Sequence, residues 1–185
     1  MKYIEKGQEP AEFTQWKEEW EKLWKPLRPD DWQPEWNNDF QNPEKGVVYN
    51  ALLKEQGYIC CYCERRIDKP TSHIEHFKPR KTYPQLAFVY DNLLCSCNGR
   101  PEGQNKGPQD HCGQEKSEWF DENLLISPLD KDCADYFQYT GAGEILPSKV
   151  HGKEEAAKET IKHCKLNHER LRTCSKSFIC VKIKK

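Results

Sequence analysis

Apolar residues are scarce in this chain, and their scarcity bounds what it can be. Hydrophobic residues make up 36% of the sequence against 32% charged, and the mean hydropathy is -1.01. No run approaches the length of a membrane span. The opening residues Met1-Lys2-Tyr3-Ile4-Glu5-Lys6 contain no apolar core of a secretory signal. Internal repeats and low-complexity tracts are absent, and the net charge is only -1, which argues neither for nor against a nucleic-acid partner. A chain of 185 residues is long enough for one domain with helical extensions. With so little apolar material, that domain calls for metal stapling or a partner that covers surface.

What is present compensates in two ways. Six Trp, eight Tyr and seven Phe supply large buried areas per residue, so most of the chain is expected to be ordered. Ten Cys without a secretory leader read as a metal binder with reduced thiols, which places the protein in the cytoplasm. Charge is unevenly spread. Residues 117–147 hold one Lys or Arg against seven Asp and Glu, whereas residues 148–185 hold eleven against four. That basic end suits a soluble terminal helix or contact with a phosphate backbone.

Periodicity predicts a first helix over 12–25, with Phe13, Trp16, Trp20, Leu23 and Trp24 on one side and Pro26 and Pro29 beyond it. Its aromatic face suits core packing or partner docking. A second helix is predicted over 44–56, with Val47, Val48, Ala51 and Leu52 inward and Gly57 as its stop. A strand with a Cys knuckle follows over 58–67, then a short strand over 73–77 closed by Pro79. Residues 81–94 suit a short helix or loop ending in Asn92-Leu93-Leu94. After a polar excursion over 99–111, a helix is expected from Cys112 past Lys116. Leu124-Leu125-Ile126 reads as a strand, Tyr136–Gly143 as the start of a hairpin, and 153–165 and 168–178 as helices, the last capped by Asn167. The chain thus divides into an N-terminal helical, partner-docking segment (1–57), a core (58–120) and a C-terminal strand, hairpin and helices (121–185).

The chemistry concentrates between Cys60 and Lys116. Cys60-x-x-Cys63 is a knuckle whose two thiolates reach one tetrahedral Zn²⁺. A second pair must complete the site, namely Cys97 and Cys112, with Cys95 as the rival of Cys97. Buried free thiols are the plainer reading of Cys61, Cys133, Cys164, Cys174 and Cys180. No βαβ pattern surrounds the knuckle, so a thioredoxin-like redox role fails. Glu75-His76 sets a carboxylate beside an imidazole at the end of a short strand. Such a pair can hold a divalent ion through Glu75 and polarise water through His76, and Asn92 could fix the His76 ring. A purely structural zinc finger has no need of this group. The competing class is a non-catalytic zinc module that binds nucleic acid or protein. A thiol redox sensor is a third, weaker idea that surplus Cys would permit.

The order Cys-x-x-Cys, carboxylate-His with Pro three residues on, Asn-Leu, then paired Cys with a trailing Lys resembles the HNH endonucleases. The flanks extend the likeness to the PtuB branch of Septu-type and retron-associated anti-phage systems. They are Ile4-x-Lys6-Gly7-x-Glu9-Pro10, Leu52 to Cys60, His73 to Arg80, and Leu166-Asn167-x-Glu169-Arg170-Leu171. The resemblance implies an α+β fold with a zinc-stapled ββα-metal core flanked by N- and C-terminal helices. It also implies a nuclease that uses Mg²⁺ or Mn²⁺ on DNA, with RNA left open, and that works with a PtuA-type ATPase and, through it, retron RNA and DNA components. Lys78, Arg80, Lys81 and Lys116 are the expected nucleic-acid contacts. In the usual pattern the third motif residue follows the last zinc Cys, where this chain has Gly113. His111, or alternatively Asn98, is therefore expected as the second ligand of the catalytic ion. The terminal stretch Thr173–Cys180 also departs from the charged helical close of the family.

Overall fold

The computed structural model describes residues 1–23, 35–100, 107, 110–150 and 152–172. The predicted contributions of Trp24, Pro26, Pro29, Cys174 and Cys180, the Thr173–Cys180 stretch and the end of the last helix lie outside these residues.

Helix α1 (Ala11–Leu23) buries Phe13 and half-buries Trp16. It packs on α2 (Glu44–Glu55), which buries Val48, Leu52 and Leu53. Helix α2 stops at Gln56, followed by Gly57 at φ 64°, a left-handed conformation that glycine adopts without steric cost. The aromatic face of α1 is chiefly a core face: Phe13, Trp16, Trp36, Phe40 and Phe88 form one cluster, with centroids of Phe13 and Phe40 5.1 Å apart and of Trp16 and Phe40 4.8 Å apart. Leu23, expected on that face, is 62% exposed.

Strand β1 (Ser72–His76) pairs antiparallel with β2 (Leu93–Cys97), His76 opposite Leu93 and Ser72 opposite Cys97. The reading of Asn92-Leu93-Leu94 ended too early, because every residue of Leu93–Cys97 is buried and a continuously buried strand carries no alternation to mark it. Helix α3 (Gly113–Lys116) is a single turn and stops at Lys116 instead of running past it. Gln56 ties α2 to β2: its amide donates to the carbonyls of Ile59 and Cys95 and accepts from the Cys95 amide.

Strands β3 (Phe137–Tyr139) and β4 (Ile145–Pro147) form the expected hairpin, and α4 (Glu154–His163) the expected helix, with Ala156, Ala157 and Thr160 buried. Leu124–Ile126 is turn and irregular structure, not a strand; Leu124 and Leu125 amides bond back to Asp121. Asn167 caps no helix. Its side chain accepts from the Ile145 amide and donates to the Ile145 carbonyl, pinning β4. Residues 169–172 are helical. No helix among the described residues is long and apolar enough to cross a membrane.

Phe40 is fully buried at the centre of the aromatic cluster. Phe40→Ala is expected to lower unfolding free energy by about 3–5 kcal/mol, measured by denaturant titration of the purified chain.

Candidate functional site

Two side-chain groups meet where β1, β2 and α3 converge. The first is the set Cys60, Cys63, Cys97 and Cys112, whose sulfurs all lie within 4.8 Å of one another. The knuckle turns tightly enough for this because the Glu64 amide bonds to the Cys60 carbonyl while the Cys60 amide bonds to that of Arg65. Cys97 arrives at the end of β2 and donates its amide to Cys60 Sγ at 3.3 Å. Cys95 is not a member; it sits two residues back, its amide on Gln56. Cys112 precedes α3 at φ 57°, a strained conformation for a non-glycine residue, and its amide is held by the Cys164 carbonyl at 2.8 Å. Burial opposes ionisation of Cys60, yet hydrogen bonds from Cys112, Cys61, Cys63 and Cys97 outweigh it and hold this thiol well below its ordinary value. Burial pushes Cys61, Cys95, Cys133 and Cys164 up, as expected of inert free thiols.

The donor set fits zinc. Tetrahedral Zn–S bonds of about 2.3 Å put sulfurs about 3.8 Å apart, and Cys63 Sγ lies 3.8 Å from Cys97 Sγ.

The second group surrounds Glu75, which is 6% exposed. Alternation along β1 sends His73 and Glu75 to one face and Ile74 and His76 to the other. His73 Nε2 stands 3.3 Å from Glu75 Oε2, while Lys116 Nζ stands 3.0 Å from Glu75 Oε1 and the Tyr62 hydroxyl donates to the same oxygen at 3.1 Å. Burial raises the affinity of Glu75 for a proton, but the Lys116 ammonium and His73 outweigh it and hold the carboxyl below its ordinary value. Gly113 is where the backbone of α3 touches this pair. A Cβ there would lie 2.5 Å from Glu75 Oε2 and 2.9 Å from His73 Nε2.

On the opposite face, His76 packs edge-on against Trp36, centroids 4.4 Å apart, and its Nε2 is 3.0 Å from the Ala87 carbonyl. With Nε2–H donated there, Nδ1 keeps a lone pair. Burial pushes the His76 imidazole down to about 4, so the ring is neutral at neutral pH.

Several sequence expectations are redrawn by these contacts. The described ring partner of His76 is Ala87, not Asn92. Asn92 instead clamps the intervening loop, accepting from the Lys78 amide and donating to the Lys78 and Leu86 carbonyls. His111 lies against the thiols, its Nδ1 3.4 Å from Cys112 Sγ and 3.7 Å from Cys97 Sγ, while Glu75 contacts His73, Lys116 and Tyr62. Burial pushes His111 down to about 4. Asn98 presents Oδ1 to His73 Nδ1 at 3.4 Å. Lys116, expected to meet a phosphate, is 1% exposed, with its ammonium on Glu75 and the carbonyls of His76, Phe77 and Ser117. Lys78 is half-buried beside the rings of Tyr83 and Phe120, whereas Arg80 and Lys81 are exposed. His73 was not singled out from the sequence, although its position two residues before Glu75 on a strand was the available signal.

No protein-family model matches the chain. It is 32% identical over 121 residues to a Vibrio cholerae serotype O1 biovar El Tor protein assigned as the HNH endonuclease of retron Vc95, covering 64% of this chain and 55% of that relative. The protein assigned to the same role in retron Ec83 of Escherichia coli is 26% identical over 182 residues, covering 77% of this chain and 69% of the relative. The Septu protein PtuB of Bacillus thuringiensis is 44% identical over 55 residues, 29% of this chain and 21% of that protein. The chain is therefore similar to proteins assigned as HNH endonucleases of retron systems and to a Septu protein, and it spans about half the length of the Vibrio relative.

Removing Lys116 strands a buried carboxylate. Lys116→Met is expected to destabilise the fold by about 3–5 kcal/mol, with part recovered in the Lys116→Met/Glu75→Gln double variant. Denaturant midpoints of the wild type, Lys116→Met, Glu75→Gln and the double variant check this.

Proposed function

We propose that this chain is a metal-dependent endonuclease that hydrolyses phosphodiester bonds of DNA, the effector of an anti-phage complex with a PtuA-type ATPase. The observation that carries this reading is the pairing, at the end of one strand beside the four-cysteine set, of a neutral His76 with an ionised Glu75. In this reading β1, β2 and α3 form the ββα unit of the HNH kind, and Cys60, Cys63, Cys97 and Cys112 hold a structural Zn²⁺. The family name of the relatives supports the nuclease activity, and the likeness to PtuB supports the ATPase partner.

Each residue then has a role. His76 accepts a proton from the attacking water at Nδ1, its ring aimed by Ala87 and Trp36. Asn92 is a positioning residue, since it holds the loop that carries Ala87. Glu75 and His73 would hold the divalent ion. Oxygen and nitrogen donors 3.3 Å apart suit one, and Gly113 presents no side chain to crowd the pair further. When bound there, Mg²⁺ or Mn²⁺ supplies charge stabilisation at the leaving oxygen. His73 thus takes the place expected of His111 or Asn98. Lys116 keeps Glu75 ionised.

Plasmid cleavage is the direct test, with Mg²⁺ or Mn²⁺, with and without the ATPase. His76→Ala is expected to slow cutting by about 10²- to 10⁴-fold while zinc content and melting stay unchanged. Cutting that persists undiminished in His76→Ala would favour a non-catalytic zinc module. Cys112→Ser is expected to abolish stoichiometric zinc, read by elemental analysis, and to lower the melting temperature.

A further inference from the structure

A cleft of about 500 Å³ opens beside the site, and its lining is one-signed. It runs from His73 and Gln114 across Trp36 to Lys45, Lys69 and Arg80. Among the described residues no Asp or Glu lines it. In a chain whose net charge is -1, three cations gathered around one hollow without an acid require an external counter-charge. Among the described residues none of the three forms an ion pair.

Each cation is set in place by the fold. Lys45 stands in the first turn of α2, its ammonium 3.5 Å from the Trp36 carbonyl and 5.4 Å from the centre of that ring. Lys69 belongs to the turn before β1 and reaches back over α2, where a Cβ at Gly46 would lie 3.8 Å from its Nζ. Arg80 comes from the loop after β1 and is exposed. Burial first, then the positive charge of Arg80, push the Lys45 ammonium down, as expected of like charges crowded without an anion between them.

The ends of the cleft touch both halves of the pair on β1. His73 is the neighbour of Glu75, and Trp36 is the ring against which His76 packs. A polyanion lying in the hollow would pass beside the strand that carries both groups. We infer that this cleft is the seat of a nucleic-acid backbone, with Lys45 and Lys69 gripping phosphates on the α2 side and Arg80 on the other. The inference rests on the nuclease reading for where the strand is cut, but not for the binding itself. It adds Lys45 of the N-terminal helical segment and Lys69 to the expected contact Arg80.

The test measures binding apart from cutting. In a His76→Ala background, fluorescence anisotropy of a labelled 20-base-pair DNA duplex would be followed across a salt series. The variants are Lys45→Gln, Lys69→Gln and both together, with Lys158→Gln on exposed α4 as the control. Each cleft variant is expected to weaken binding and to reduce the slope of log K against log salt by about 0.9. The double variant is expected to lose about twice that, and Lys158→Gln nothing. A lost lysine that merely loosened the fold would lower the melting temperature and leave the slope. Unchanged slopes in the stably folded double variant, or no measurable binding by the background protein at low salt, would overturn the inference. Reduced slopes together with cleavage indifferent to His76→Ala would uphold the cleft and sink the nuclease reading.

Discussion

The convergence of four sulfurs is the constraint on which the rest of the structure depends. Cys60 and Cys63 come from the knuckle after α2, Cys97 from the end of β2 and Cys112 from the start of α3. Together they gather three chain segments at one point of the core. Backbone hydrogen bonds extend the junction: the Cys61 amide reaches the Cys95 carbonyl, and the Cys112 amide reaches that of Cys164 just past α4. A two-stranded sheet and a one-turn helix are too small to be stable alone. A metal held by the four thiolates would cross-link their ends and let such short elements keep a fixed geometry in a chain with little hydrophobic material.

The alternation of β1 divides the site between two supports. One face carries Glu75 to the Lys116 ammonium, and the other carries His76 to Trp36. The two neighbouring residues therefore acquire opposite electrostatic conditions. Glu75 is buried with a compensating cation and remains charged; His76 is buried against an aromatic ring and a carbonyl and remains neutral. The aromatic residues of the N-terminal segment thus reach His76 directly, through the ring of Trp36. Direct contact with the carboxylate would instead favour the protonated imidazolium and remove the lone pair that a neutral ring offers.

Much of this was legible in the sequence. Side-chain identity and spacing marked the Cys-x-x-Cys knuckle, the Glu75-His76 pair, α1, α2, α4 and the hairpin, because these follow from local periodicity and ligand chemistry. What was not legible depended on direction. Whether Cys95 or Cys97 joins the cluster turns on how far β2 runs before meeting the knuckle. Lys116 looked like a surface cation because charge is usually exposed, and only the tertiary position of Glu75 explains its burial. His111 looked like a ligand for the second ion because it adjoins Cys112 in sequence, but Nδ1 lies beside the thiols. The Leu124–Ile126 run has the composition of a strand without any partner strand among the described residues.

Gly113 shows why residue type alone misled at the last position. The usual motif places a ligand there, and its absence read as a gap to be filled from a neighbour in sequence. The structure brings the glycine's own backbone against Glu75 and His73, so close that a Cβ would collide with both. The position is therefore occupied by peptide rather than side chain. His73 sits on the same face of β1 as Glu75, where strand geometry holds it without help from α3. The close approach of α3 that leaves no room for a side chain at 113 also brings Lys116 down onto the carboxylate, so one contact sets both the shape and the charge around Glu75.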